Sequence, residues 1–138
     1  MHPNSSAWTL LQKESDGRPL LIRFRQLDSA FARARLHERL NIFWIMNEAD
    51  LNGLPTQAES DRLKVFENLL VEAVEHDGGS VLSAVLTCNG KREFVFYTAD
   101  VAVFLARLTD MPQEEQRYPI ELHRNDDSEW EYFDHVTS

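Results

Sequence analysis

From Leu20 to Gln26 apolar and polar side chains alternate, with Leu20, Ile22 and Phe24 on one side and Leu21, Arg23 and Arg25 on the other. A period of two predicts a strand. Ala7–Lys13 is its natural partner across the turn residues Ser15-Asp16-Gly17, so residues 7–26 are expected to form an N-terminal hairpin. Asp28 is placed to cap a short, Arg-rich helix running through Phe31 and Leu36. Ile42-Phe43-Trp44-Ile45-Met46 is apolar on both faces, the pattern of a central strand covered on both sides.

After the loop Asn52-Gly53-Leu54-Pro55 the pattern changes to a helical one. Thr56 is the expected cap, and Glu59, three residues on, completes a capping box. Leu63, Phe66, Leu70 and Val74 then share one helical face, leaving Lys64, Glu67, Asn68, Glu72 and Glu75 to solvent, and Gly78-Gly79 ends the helix. Val81–Cys88 and Lys91–Thr98 flank Asn89-Gly90, a strong signal for a two-residue hairpin turn. Thr98 or Asp100 caps a second helix with Val101, Phe104, Leu105 and Leu108 facing inward, stopped before Pro112. Tyr118–Leu122 reads as a last strand, and Pro119 suits an edge.

Over residues 40–124 the order is therefore β-α-β-β-α-β, which predicts an α+β fold with a ferredoxin-like core, an antiparallel sheet and two helices on one face. The hairpin at 7–26 would extend the sheet, residues 125–138 form an acidic and aromatic tail, and the whole of 1–138 reads as one domain. Two helices cover only one face of such a sheet. The other needs the tail, the hairpin with its short helix, or a second copy of the chain, so the protein is expected to be a monomer or a homodimer.

Composition narrows the class. Of the 138 residues 43% are hydrophobic and 27% charged, which is ordinary for a folded domain. No apolar run approaches the roughly 18 residues of a membrane span, and Met1–Ser6 has neither the basic nor the apolar part of a secretory signal. Cys88 is the single cysteine, so no internal disulfide forms and a cytoplasmic location is expected. Fourteen basic against 23 acidic residues give a net charge of −9. That field repels phosphate backbones and argues against nucleic acid, while it attracts a basic protein partner.

Catalytic and metal motifs are missing from the sequence. His2, His37, His76, His123 and His135 never stand at the spacing that puts two imidazoles on one metal, Cys88 has no partner cysteine, and no phosphate-binding glycine loop or nucleophile elbow occurs. No catalytic, metal or cofactor-binding residue is therefore assigned. The strand Lys91–Tyr97 resembles the base-stacking strand of RNA-recognition motifs at Phe94, Val95 and Tyr97, but Arg92 and Glu93 stand where an aromatic and a small residue belong. Arg23 and Arg25 share a strand face, either as partners for surface carboxylates or as an anion-binding pair. In the tail, Asp126-Asp127-Ser128-Glu129-Trp130-Glu131-Tyr132-Phe133 combines acids with three large aromatics. Trp130 and Phe133 are expected to anchor it on the domain, with Asp127 fixing the turn through backbone N–H groups; the alternative is an exposed acidic-aromatic segment that recognises a partner.

Trp8, Arg23-x-Arg25, the strand around Trp44, Gly53-x-Pro55, Arg92–Tyr97, Tyr118-Pro119 and Asp127-x-x-Trp130-x-x-aromatic together resemble a bacterial domain-of-unknown-function family (number 695), over nearly the whole chain. That family often has Pro after the Asp and Tyr at the end of the last motif, where this chain has Ser128 and Phe133, so a terminal hydroxyl role would fall to Tyr132. The resemblance implies the fold and carries no assigned activity. More distantly, the architecture resembles the inhibitor and regulator of ribonuclease E. The functional expectation is a non-catalytic binding or regulatory module that docks on a protein. The alternative is a small-molecule-binding protein or enzyme with a pocket framed by Trp44, Tyr97, Trp130 and Tyr132 and the polar groups Arg23, Arg25 and Asp127.

Overall fold

A computed structural model of the chain describes residues 7–26, 33, 35–112 and 118–138. Among these residues six strands form one antiparallel sheet, in the order β1-β2-β4-β5-β3-β6. They are β1 (Trp8–Ser15), β2 (Arg18–Arg25), β3 (Glu38–Ile45), β4 (Ser80–Cys88), β5 (Lys91–Thr98) and β6 (Ile120–Asp126). Three helices complete the described structure: α1 (Gln57–Glu75), α2 (Val101–Asp110) and α3 (Glu131–Thr137). The fold is thus α+β with an antiparallel sheet, as expected, and wider by the N-terminal hairpin. The helix expected from Asp28 through Phe31 lies largely outside the described residues. No described helix is long and apolar enough to cross a membrane.

Both tight hairpins follow from their turn residues. Asp16-Gly17 and Asn89-Gly90 each place two consecutive residues at positive φ (53° then 79°), the backbone of a turn whose twist matches that of the flanking strands. A bulge at Ser83 interrupts the pairing of β4 with β5, between the pairs Leu82–Phe96 and Ala84–Val95. The extra residue switches the side-chain alternation, so Leu82 and Val85 face one side of the sheet and Val81 and Ala84 the other. Ser83 satisfies its buried hydroxyl on the Val95 carbonyl (2.8 Å).

One face of the sheet, with Leu40, Ile42, Trp44, Leu82, Val85, Phe94 and Phe96, packs against Leu63, Phe66, Leu70 and Val74 of α1 and Val101, Phe104 and Leu108 of α2. The opposite face, with Val81, Ala84, Val95 and Tyr97, is covered by Leu36 and Trp130 and, at its margin, by Tyr132 and Phe133 of α3. The tail therefore returns to the sheet, with Trp130 fully buried.

Several local expectations are corrected. The capping box is half formed: Thr56 Oγ1 accepts from Glu59 N–H (3.4 Å), but the Glu59 carboxylate turns inward and accepts from Trp44 Nε1 (2.6 Å) and Glu48 N–H (3.0 Å). A buried indole N–H needs an acceptor more than a solvated cap does. Glu75 is buried rather than solvated, and Leu105, expected inward, is 38% exposed. β3 begins at Glu38 because Arg39 and Asn41, polar residues outside the apolar run, continue the pairing with Tyr97 and Val95. β6 starts after Pro119 and extends to Asp126 as an edge strand.

The loop after β3 is tied to the β4–β5 turn. Gly53 has φ 80°, its carbonyl accepts from Gly90 N–H (2.8 Å), and a Cβ there would lie 2.6 Å from Asn89 Cα. Gly17, at φ 79°, faces open space. Gly17→Ala should therefore cost about 1–2 kcal/mol for the left-handed backbone alone. Gly53→Ala should cost a further ~1–3 kcal/mol for the forced overlap. Urea denaturation midpoints of the two variants test this, and equal shifts would mean the loop does not sit against the turn.

Candidate functional site

Cross-strand neighbours share a face of a sheet, and the register lays two rows of side chains across the helix-bearing face at its hairpin end. The first runs Leu10, Arg23, Val85, Phe94 across β1, β2, β4 and β5; the second runs Gln12, Leu21, Thr87, Arg92 and on to Trp44 of β3. Helix α1 packs on β4. The hairpin extends the sheet past the helix, so the outer part of both rows stays uncovered. The result is a groove of about 450 Å³ floored by Leu10, Gln12, Leu21, Val85 and Thr87, with Arg23 and Arg92 on its polar side. A second hollow of about 310 Å³ shares those two arginines and is walled by Ser60, Lys64, Glu67 and Asn68, one stripe of α1.

The charges in this groove are unevenly matched. Arg23 holds both oxygens of Glu67 (2.5 and 3.1 Å). Arg92 donates its Nε proton to Thr87 Oγ1 (2.9 Å), and no described carboxylate forms an ion pair with it. Burial and the neighbouring Arg23 charge lower the Arg92 pKa from its ordinary value, with Glu67 acting in the other direction. Lys64, exposed, lines the second hollow beside Arg92. Deeper along the same face Arg25 bonds Glu75 (3.0 Å), whose other oxygen accepts from Leu82 N–H (2.7 Å). The Trp8 ring lies against both guanidinium groups, 4.6 Å from that of Arg23 and 4.9 Å from that of Arg25.

The opposite face carries a closed polar network beneath the tail. Asp127 accepts from Tyr97 Oη (2.7 Å), Arg39 (2.9 Å) and the backbone N–H groups of Glu131 (2.9 Å) and Tyr132 (3.2 Å). Burial alone would raise its pKa, but the Tyr97 and Arg39 bonds and the two N–H groups hold it below its ordinary value. Tyr132 Oη and Asn41 Nδ2 both donate to Glu93 Oε2 (2.6 Å each), and Arg39 lies 4.4 Å over the Tyr132 ring. Burial first, then the carboxylate each one donates to, pushes Tyr97 and Tyr132 above the ordinary tyrosine range. Trp130 stacks on Tyr97 at 3.9 Å, meets Phe133 edge-on at 5.6 Å, and donates Nε1–H to the Leu36 carbonyl (2.7 Å). Its backbone is left-handed (φ 56°), a conformation costing about 1–2 kcal/mol in a residue with a Cβ, offset by the burial of its ring.

Asp127, Trp130 and Phe133 thus act together as one locking motif at the end of the chain. Residues 6–136 match the model of a family described as "Family of unknown function (DUF695)". The chain belongs to this family. No curated protein and no solved structure matches it.

In this DUF695 chain the residues proposed from sequence to frame one pocket divide between the two faces. Arg23, Arg25 and Trp44 lie on the α1 side; Tyr97, Asp127, Trp130 and Tyr132 lie on the α3 side. Trp44 is fully buried between Phe66 and Tyr118, with its Nε1 on Glu59. A pocket joining all of them is therefore not formed, because alternation on neighbouring strands sends Trp44 and Tyr97 to opposite sides. Arg23 alone among them lines the groove; Arg92 and Leu10 are additions there, and Lys64 lines the adjoining hollow. Arg92 was legible as the one charge in the inward stripe Arg92, Phe94, Phe96. Among the described residues no group of three or more His, Cys, Asp or Glu is placed to hold a metal, and Cys88 is a half-buried free thiol.

Because the folded-state pKa of Asp127 is depressed, its stabilising contribution is present above the unfolded carboxyl value of about 4 and is lost as pH falls through the lower folded value. Asp127→Asn should destabilise the DUF695 chain by about 2–4 kcal/mol near neutral pH. That deficit should shrink as the wild type is acidified below about pH 4. Urea denaturation of both proteins across this range checks it; a deficit independent of pH would show that the negative charge of Asp127 plays no part.

Proposed function

We propose that this DUF695 chain is a non-catalytic binding module whose ligand occupies the groove that crosses β1, β2, β4 and β5 beside α1. The observation that carries the reading is a groove of about 450 Å³ that combines an apolar floor with a half-buried arginine that has no carboxylate partner among the described residues. The volume falls in the range of small-molecule sites, roughly 300–1,000 Å³, and the mixture of apolar lining with a few polar groups is theirs as well. The non-catalytic part rests on how the polar groups are engaged: Thr87 already accepts from Arg92, and Glu67 is held by Arg23. Neither is left as a base or nucleophile.

We read β3-α1-β4-β5-α2-β6 as a ferredoxin-like unit, a reading supported by the strand order β4-β5-β3-β6 and the two helical crossovers on one face. On that reading the hairpin is an addition, and the groove exists because of it. A second reading, docking on a basic protein partner, draws support from the net charge of −9 and from the distant resemblance to the ribonuclease E inhibitor. The same charge disfavours nucleic acid.

Anilinonaphthalene sulfonate, an apolar ring system with one anionic group, is a suitable probe of the groove. The native protein should bind it stoichiometrically with enhanced emission. Leu10 is 75% exposed, so Leu10→Asp should leave the fold intact while cutting the enhancement several-fold. Undiminished emission from a folded Leu10→Asp variant would remove the groove as the binding site.

A further inference from the structure

We propose that the groove takes an amphiphilic carboxylate, its acid head on Arg92 and its apolar chain lying across the sheet over Val85, Leu21 and Leu10. This rests on the groove being the binding site and adds the chemistry of the ligand. The groove has a direction. At its β5 end stand Arg92 and Thr87, with Lys64 in the adjoining hollow that shares Arg92; toward β1 the lining becomes Leu21 and Leu10, with Gln12 beside them. Three inter-strand steps separate Arg92 from Leu10 along the rows, about 14 Å at the usual strand spacing. That is the path of a medium-length chain laid perpendicular to the strands.

Electrostatics selects the head. Arg23 and Glu67 neutralise each other through two hydrogen bonds, and among the described residues no carboxylate pairs with Arg92, in a chain of net charge −9. A carboxylate matches the fork of a guanidinium and makes charge-assisted bonds to its two terminal nitrogens. The head should carry a single charge, since Glu67 stands beside the site and a dianion would meet more repulsion there. The lowered pKa of Arg92 agrees with a cation set into a poorly solvated place without its counter-ion. Leu10 supports the apolar end: it lies on the helix-bearing face, in the same row as the buried Val85, yet three-quarters of it is open to water. A chain laid over it would remove that surface from solvent.

Isothermal titration with decanoate, decanol, acetate and decyl phosphate tests the assignment. Decanoate should bind at one site per chain. Decanol, which keeps the tail, and acetate, which keeps the head, should each bind at least tenfold more weakly. Arg92→Gln should lose at least tenfold in decanoate affinity and leave decanol binding unchanged, and Arg92→Lys should recover part of the loss. Should Arg92→Gln fail to fold, Lys64→Gln, at an exposed position, should still weaken decanoate and spare decanol. Decanol binding as tightly as decanoate, or unaltered decanoate affinity in Arg92→Gln, would overturn the acid head while leaving the groove as a site. Decyl phosphate binding tenfold tighter than decanoate would assign a phosphate head instead. No decanoate binding by the wild type would reject the proposal outright, and the dye experiment on Leu10→Asp then decides separately whether the groove binds anything.

Discussion

A sheet whose central strands are apolar on both faces cannot be stable until both are covered, and much of this structure follows from how that is done. The two crossover helices α1 and α2 lie on the same face, as right-handed connections within one antiparallel sheet require. The second face holds Val81, Ala84, Val95 and Tyr97, too much apolar surface to leave wet. The chain meets this with its last residues. Trp130 supplies the buried area, and Asp127 makes the return of the chain specific by binding a phenol, a guanidinium and two backbone N–H groups at once. A buried carboxylate with four donors is stable, and the same group with one donor removed is costly. The tail is therefore held by a network that works as a unit.

The helix-bearing face is organised by a different imbalance. Six strands are too wide for two helices, and the overhang falls at the hairpin. Part of it is closed by charge: Arg25 with Glu75, and Arg23 with Glu67, fasten β2 to α1 while Trp8 packs over both guanidinium groups. Among the described residues these ion pairs are the hydrogen-bonded links between the hairpin and α1, and the groove lies beyond them over β1 and β2. Arg92 faces into it with Thr87 as its one described hydrogen-bond partner. The cationic character of the groove is thus local and sits within a chain whose net charge is −9.

Much of this was legible in the sequence wherever one residue type has one physical use. Asp16-Gly17 and Asn89-Gly90 specify their turns because few residue pairs accept two successive left-handed conformations. Leu63, Phe66, Leu70 and Val74 specify the inner face of α1 by period alone. The tail was legible too, since three aromatics beside an Asp have little reason to stay in water. Glu59 was read as the second half of a capping box and Glu75 as solvated, because a carboxylate's burial depends on a donor brought from elsewhere in the chain, here Trp44 Nε1 and Arg25.

The sequence by itself therefore determined the main elements, their order and the α+β class, all of which follow from short-range periodicity and turn chemistry, and it left the tail's return as one of several ways to bury the second face. The tertiary structure alone decided which side chains meet. Trp44 and Tyr97 are both large inward aromatics on neighbouring strands, and their separation to opposite faces depends on a pairing register that no local pattern states. The Ser83 bulge, which aims Val85 into the groove floor, is likewise a product of strand pairing. The groove has the most distant origin, since it needs β1, β2, β4 and β5 together, and residues from Leu10 to Arg92 become neighbours only when the sheet is assembled.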